Sequence, residues 1–392
     1  MASQSPIQPL HDRAEALMLT YGEGHDRAAA VVDRYAELEV EYASIRKSAA
    51  ILDLPHRGTI EIHGTERLAF LNNMLTQELN DLAPMQWRRS LWLNRKGRVE
   101  ADLRICELGE RMRVEVDSLV SPGVVDSLGS FVFAEDVEIR EVSESMHRFT
   151  MHGPGAAAVL ESVATPIEGP AIGSLASGQA SIVSIAGAEV VVEREDDAGE
   201  VGLHLSTATD HARSVYEGVL AAGVSQDEGR PRARPIGWHA YNIARLEAGT
   251  PIFNLDFGVS NLPAETGLLD DRVSFTKGCY LGQEVVARMH SLGHPKQTLV
   301  AVRAANDDES REPAWQPETG AAITKADTDA DAAPIGAITS CTRSPMLGDS
   351  IIALAMVKWG AHEPGTELDV RTPAGVLRVR VQDGPAFWQR PH

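Results

Sequence analysis

The chain has 392 residues, 43% of them hydrophobic, with 36 Lys and Arg against 56 Asp and Glu for a formal net charge of −20. That length holds two or three domains and a sizeable core, and the acidic balance argues against a non-specific nucleic-acid or anionic-membrane binder. Cys106, Cys279 and Cys341, odd in number and without a Cys-x-x-Cys pair, exclude a disulfide framework or a self-contained zinc or iron–sulfur site and fit a reducing compartment; with no leader pattern and no bilayer-length apolar run, the expected location is cytoplasmic.

Residues 1–39 are expected to form a helical extension, with Ala28, Ala29, Val32, Tyr35, Ala36 and Leu38 as its stripe. Leu52 to Gly58 reads as a break before a strand at 59–63. A helix follows from Gly64-Thr65-Glu66, burying Leu68, Phe70, Leu71 and Leu75. Leu91-Trp92-Leu93, the basic turn 94–98 and the alternating run 99–105 predict a hairpin. Strands are expected at 112–117 and 137–142, and a helix from Ala156 to Val163 behind Pro154. From 181 to 205 two strand-like runs flank an acidic loop, Glu193 to Glu200, after which Ser206 caps a helix ending near Gly223. A Pro/Arg-rich joint, Gly229 to Pro235, leads to a helix at Trp238 to Glu247. Residues 296–392 read as strands alone, at 298–302, 336–340, 351–357 and 376–381, interrupted by an acidic low-complexity insertion, 306–333. The sum is an α+β body followed by a small β-barrel-like domain, without an internal repeat.

The richest stretch is Val273-Ser274-Phe275-Thr276-Lys277-Gly278-Cys279-Tyr280-Leu281-Gly282-Gln283-Glu284-Val285-Val286-Ala287-Arg288. Two glycines permit a bent backbone around the cysteine, and a thiol beside ammonium and guanidinium groups is biased toward thiolate. Lys-Gly-Cys-Tyr-x-Gly-Gln-Glu with its flanks resembles the hallmark of the YgfZ family. Those are folate-binding relatives of the glycine-cleavage T protein (GcvT, aminomethyltransferase) associated with maintaining iron–sulfur enzymes.

The resemblance extends over most of the chain from about residue 40. Ala50 to Gly58 is similar to the T protein's Gly-Leu-Phe-Asp-Val-Ser-His-Met-Gly and places His56 on its histidine. Gly97 to Leu103 resembles Gly-Gly-x-x-Asp-Asp-Leu, with Asp102 on the second aspartate, the carboxylate that family sets beside the folate's reactive nitrogens. Arg194 with Gly199-Glu200 and Gly202 is similar to Arg-Thr-Gly-Tyr-Thr-Gly-Glu-x-Gly, and Arg245-Leu246-Glu247-Ala248-Gly249-Thr250-Pro251 to Arg-Leu-Glu-x-Gly-x-Pro. Three positions depart from that pattern. The pterin-anchoring acid becomes His204, an arginine becomes Tyr241 and the turn tyrosine becomes Asp197.

Read from the residues themselves, Glu100 and Asp102 share a strand face roughly 7 Å apart, a spacing that raises at least one carboxyl and suits proton transfer to an amine. The plain alternative is a wet sheet face with Arg104 as their partner. Lys277, Arg288, Lys296 and Arg303 face a single acid, Glu284, and could hold an anion such as folate's glutamate tail, or be ordinary surface cations. Gln283 and Glu284 could meet the pterin edge, or could simply open a helix after Gly282. The loop carrying Glu193, Glu195, Asp196, Asp197 and Glu200 lacks EF-hand spacing and reads as a solvated hairpin loop. His56, His63, His204, His290 and His294 lack paired zinc spacing, so no metal is assigned.

The resemblance implies a three-domain cloverleaf around a central folate channel. Its folate-binding α+β region is 40–295, with 55–143 inserted between 40–54 and 144–295, and its barrel is 296–392. Tetrahydrofolate or a one-carbon derivative would be held by Tyr280, Gln283, Glu284, Arg288, Arg245, Tyr241, His204 and His56. Cys279, assisted by Lys277, would be the functional thiol, and iron–sulfur client or assembly proteins the partners. The alternative is a true one-carbon transferase, passing an aminomethyl group to tetrahydrofolate with Asp102 as proton acceptor. A second alternative is a non-catalytic chaperone for iron–sulfur proteins.

Overall fold

Period-two patterning shapes the first two-thirds of the chain. Short alternating runs rich in Val and Ile favour strands, and each strand then offers one set of side chains to each face. The computed structural model describes residues 2–222, 233–305, 315–328 and 332–388. They form two compact units, one of residues 1–92 and 101–241, the other of 93–100 and 242–392.

The first unit opens with α1 (Gln8–Arg13), β1 (Leu17–Tyr21), β2 (Ala29–Arg34), α2 (Leu38–Lys47) and β3 (Ala49–Asp53). The expected N-terminal helix is thus a short helix and a hairpin. Gly22 and Gly24 turn the chain at positive φ, and Val31 and Val32 belong to a buried strand. Next come β4 (Arg57–His63), α3 (Arg67–Met74), β5 (Gln86–Leu93), β6 (Val99–Glu107), β7 (Met112–Asp117), α4 (Ser121–Gly129) and β8 (Glu138–Glu141). Phe70, Leu71 and Leu75 of the α3 stretch are buried, and Leu68 is half-buried. The chain continues through β9 (Met146–His152), α5 (Ala156–Glu161), β10 (Ala164–Glu168), β11 (Ala180–Ile185), β12 (Ala188–Arg194), β13 (Gly202–Ala208), α6 (Ala212–Ala222) and β14 (Ala233–Ile236). Ser206 therefore caps no helix; it is a fully buried residue of β13, and α6 starts six residues later. Gly223 and residues 229–232 of the joint lie outside the described residues, and 233–236 form β14.

A seven-stranded sheet has the order β10-β11-β12-β13-β9-β3-β14, with β14 parallel to β3. A five-stranded sheet has the order β5-β6-β7-β4-β8. Its strands are one insertion between β3 and β9, which pair directly, Leu52 opposite Thr150. On the seven-stranded sheet Phe149, Met151, Val190, Val192, Leu203 and Leu205 join Leu160 of α5 and Val215 and Val219 of α6 in one apolar core. Burying each such side chain contributes about 1.5–3 kcal/mol. Alternation then forces Arg148, Thr150, His152, Glu193, His204 and Ser206 onto the other face. That face meets the five-stranded sheet. Arg148 Nε donates to Thr59 Oγ1 at 3.0 Å and Arg113 Nη1 to Ser206 Oγ at 3.0 Å. The two sheets thus enclose a charged layer.

The second unit receives the last part of α7 (Trp238–Glu247), then α8 (Leu269–Arg272) and α9 (Gln283–Leu292). Its barrel strands are β15 (Gln297–Ala304), β16 (Ala322–Lys325), β17 (Gly336–Ser344), β18 (Ser350–Lys358), β19 (Glu367–Thr372) and β20 (Gly375–Val381), closed in the order β15-β18-β17-β16-β19-β20. Val302, Ile323, Ile338, Ile351, Leu368 and Leu377 fill it. β16 comes from within the stretch read as an acidic loop; residues 306–314 and 329–331 of that stretch lie outside the described residues. No helix among the described residues is long and apolar enough to cross a membrane.

Candidate functional site

Charged side chains of both signs meet between the sheets of the first unit. Arg104 of β6 donates to Glu195 at 2.7 Å, pairs with Glu115 of β7 and lies 3.5 Å from Glu193 of β12. Arg89 of β5 grips Glu195 through Nε and Nη2 at 2.6 and 2.7 Å, and its Nη1 is 3.6 Å from Asp102. Arg57 of β4 donates to Glu115 at 2.6 Å and lies 3.8 Å from Asp117. Arg148 of β9 is 3.5 Å from Glu193.

In a site this dry the charges are held by one another. Burial alone would raise Glu115, yet Arg104 and Arg57 hold its carboxyl well below the usual range. Glu195 is likewise depressed, against its burial, by Arg89 and Arg104. Arg148 is pulled down to about 10 by burial, against the opposing pull of Glu115 and Glu193.

The segment after β12 adds the other polar groups. Tyr241 Oη donates to Asp197 Oδ2 at 2.9 Å. His204 Nε2 lies 3.2 Å from Asp197 Oδ2 and 3.8 Å from Glu195 Oε2, and His152 Nδ1 lies 3.6 Å from Asp197 Oδ1. Glu193, Asp197 and Glu200 are all buried. The expected solvated loop is thus in part enclosed in the charged layer, where β13 returns under the five-stranded sheet, while Asp196 stays exposed.

Several sequence-derived candidates therefore gather here. Asp102, His204 and Tyr241 are buried and joined through Arg89, Glu195 and Asp197. Arg104, expected as the exposed partner of Asp102, is fully buried on other carboxylates, while Glu100 is half-buried. His56 is buried against the rings of Tyr21 and Trp238, at 4.9 and 5.7 Å, and burial together with Arg57 lowers it to about 3. Sequence reasoning did not single out Arg89, Arg148, Glu115 or the pairing role of Glu195. Alternation of both signs on strand after strand marks these residues as one face, but a solvated face carries the same pattern.

In the second unit the motif loop separates into packing and exposed parts. Gly282 caps α9 at φ +81°, and a Cβ there would stand 2.9 Å from the Asn94 carbonyl oxygen. Gly97 sits at φ +71°, and its Cβ would stand 2.7 Å from Val285 Cβ. The two glycines let the 94–97 turn seat against the start of α9. Gln283 and Glu284 open that helix, the plainer of their two expected roles, and Arg288 is exposed on it. Lys277 is buried with Nζ 5.6 Å from the Tyr280 ring centre.

Cys279 is exposed, whereas burial pushes the Cys106 thiol far up and the Cys341 thiol up to about 12. Arg245 is fully buried, with Asp256 at 2.5 Å, Ser340 Oγ at 2.6 Å, Asn242 Oδ1 at 2.8 Å and the Thr250 carbonyl at 3.1 Å. It braces the barrel, with four of its five N–H donors engaged there.

This mixed α/β architecture with a closed six-stranded barrel is that of the aminomethyltransferase fold. The crystal structure of glycine cleavage system aminomethyltransferase T from Bartonella henselae matches with a TM-score of 0.83 at 20% identity, over 100% of this chain and 99% of that one. The chain belongs to the glycine cleavage T-protein family: residues 8–277 match the GCVT N-terminal domain and 304–387 the glycine cleavage T-protein C-terminal barrel domain. Among relatives, the aminomethyltransferase of Geobacillus kaustophilus (strain HTA426) is 26% identical over 100% of both chains. That of Saccharopolyspora erythraea is 27% identical over 98% of this chain and 99% of its own.

Proposed function

We propose that this protein binds a tetrahydrofolate-type ligand and transfers a one-carbon group to it, in the manner of an aminomethyltransferase. The observation that carries the reading is Asp102, a buried carboxylate in the charged layer, 3.6 Å from Arg89, in a chain similar end to end to aminomethyltransferases. When the folate amine attacks the incoming CH2 group, a new N–C bond forms and the bond from CH2 to its donor breaks. The nitrogen then sheds its proton. A fixed carboxylate accepts that proton and stabilises the positive charge that precedes its loss. The surrounding layer excludes water, which strengthens both effects.

Calorimetric titration with tetrahydrofolate tests binding, and the Asp102→Asn protein tests chemistry. Saturable binding with transfer lost on that substitution is expected. No saturable binding would leave the non-catalytic chaperone as the surviving alternative.

A second reading draws on the YgfZ-like motif and on Cys279, exposed while the other two thiols are enclosed. In it the protein supports assembly or repair of iron–sulfur enzymes with Cys279 as the working thiol. Iron–sulfur enzyme activities in cells carrying wild-type or Cys279→Ala protein decide it; equal activities refute it.

A further inference from the structure

We propose that a cavity of about 460 Å³ in the first unit binds a small carboxylic acid bearing an ammonium or hydroxyl group beside its carboxylate, held by Arg57, Ser118 and His147. This goes beyond one-carbon transfer and does not depend on it. The volume is that of a site for a small organic molecule. Arg57 spends Nε on Glu115 at 2.6 Å. Its Nη1 lies 3.8 Å from Asp117, past hydrogen-bond reach, and neither Nη group finds an acceptor among the described residues. Asp117 is itself taken up by Tyr21 Oη and the Leu119 amide. Ser118, next in the chain, is buried with no partner for its Oγ. Asp117 pairs with Arg57 between β4 and β7, so the guanidinium and the hydroxyl come from neighbouring positions of one strand pair.

His147 is the third group. The residue is buried, its Nε2 lies 2.5 Å from Asp53 Oδ1, and its Nδ1 has no partner among the described residues. Buried polar groups are ordinarily paired, so three unpaired ones on one cavity wall point to a ligand. A chain of hydrogen bonds behind His147 fixes its tautomer. His147 and His11 hold Asp53 ionised, and an ionised carboxylate only accepts. Both rings therefore donate to it through Nε2, His11 at 2.9 Å. His11 Nδ1 then accepts from the Tyr35 hydroxyl at 2.7 Å, which the Tyr216 hydroxyl meets at 3.3 Å. With its Nε2–H committed to Asp53, neutral His147 offers the cavity a lone pair on Nδ1.

The three groups define the ligand's chemistry. The two Nη groups of Arg57 form a fork that fits a carboxylate, and Ser118 adds one more donor to it. His147 Nδ1 needs the opposite, an N–H or O–H on the ligand. Glu115 and Asp117 already balance much of the Arg57 charge, so a singly charged carboxylate suits the site better than a phosphate dianion. The rim carries Asp26 and Glu144, both exposed and in no ion pair among the described residues, whereas Arg27 is spent on both oxygens of Glu141. A negative rim favours an ammonium over a hydroxyl as the second group.

The test is calorimetric titration of the full chain with alanine, lactate, acetate and inorganic phosphate. Alanine is expected to saturate at one per chain with a Kd of about 1 mM or tighter. Acetate and phosphate should bind at least roughly tenfold more weakly. Lactate should fall between; lactate tighter than alanine keeps the site and makes its ligand a hydroxy acid. Ser118→Ala should weaken alanine roughly tenfold while leaving the thermal midpoint unchanged, because that hydroxyl has no partner in the protein to lose. A merely structural serine would do the reverse. His147→Gln keeps a donor for Asp53, removes the Nδ1 acceptor and should bring alanine to the level of acetate. No saturable binding of either acid, acetate as tight as alanine, or wild-type affinity in Ser118→Ala overturns the proposal. Should His147→Gln fold poorly by circular dichroism, the 15N resonance of His147 Nδ1 in the wild-type protein decides. A shift on adding alanine supports the site, and an unmoved signal refutes it.

Discussion

Arg104 of one sheet and Glu193 of the other lie 3.5 Å apart with both side chains almost wholly enclosed. Arg104 also serves Glu115 and Glu195, so one guanidinium neutralises carboxylates from both sheets. Replacing it by Met keeps the volume but leaves those carboxylates buried and under-compensated. A loss of about 3–5 kcal/mol is expected for Arg104→Met, read as a lower urea midpoint at unchanged slope. A loss below about 1 kcal/mol would show that water already reaches the layer.

That layer is also where the sequence misled. Alternation in β6, β7 and β13 fixed which residues share a face, and it placed Asp102 correctly on a strand. It could not tell a wet face from one covered by a second sheet, because both carry Arg and Glu at every other position. The distinction comes from the insertion of β4 through β8 between β3 and β9, a long-range pairing with no local signature. Four of the barrel strands were legible from their Val- and Ile-rich runs; β16, whose four residues lie amid acidic sequence, and β19, where Leu368 and Val370 alternate with Glu367, Asp369 and Arg371, were not. The Lys277–Glu284 motif was legible as a cluster, but the reason for Gly282 lies 185 residues upstream at Gly97.

Acid should destabilise the first unit in two windows. Burial keeps His56 neutral, lowering it from an ordinary 6.5 to about 3. The unfolded chain therefore takes up a proton that the folded chain refuses, and stability falls as pH drops from about 6.5 toward 3. Asp53 acts lower. Its burial would raise it, but His147 at 2.5 Å and His11 at 2.9 Å hold it well below the carboxylate range. Its contribution is full above about 4 and fades beneath. His152, lowered to about 4 chiefly by burial, acts in the same upper window, so His56→Phe should lessen the fall in unfolding free energy between pH 6 and 4 without abolishing it, and leave the steeper fall below 4. An unchanged upper window would remove His56 as its source.

Gly282→Ala addresses the motif's packing. The added methyl would meet the Asn94 carbonyl at 2.9 Å in a left-handed conformation that alanine disfavours. A cost of about 1–3 kcal/mol follows, with hydrogen exchange rising in 94–97 and at the start of α9. Gly278 has no neighbour within 4 Å of such a methyl, so Gly278→Ala is the control and should change stability by about 0.5 kcal/mol or less. Equal effects at the two positions would argue that the close approach at Gly282 is not what the glycine is for.

The three cysteines should separate under alkylation. Cys279 is exposed, so its thiolate can reach iodoacetamide, whereas Cys106 is fully buried and Cys341 has its thiol raised to about 12 by burial. Native protein should lose one thiol quickly, and all three only after denaturation. Mass spectrometry should place that fast label on the peptide carrying Lys277 to Arg288. Cys279→Ala removes it and, if the chemistry is one-carbon transfer at Asp102, leaves the transfer rate within about twofold of wild type, since a group outside the proton path contributes little to the barrier. A rate lowered 100-fold or more, with folate binding intact, would instead put the thiol in the reaction and displace Asp102 as its sole carrier.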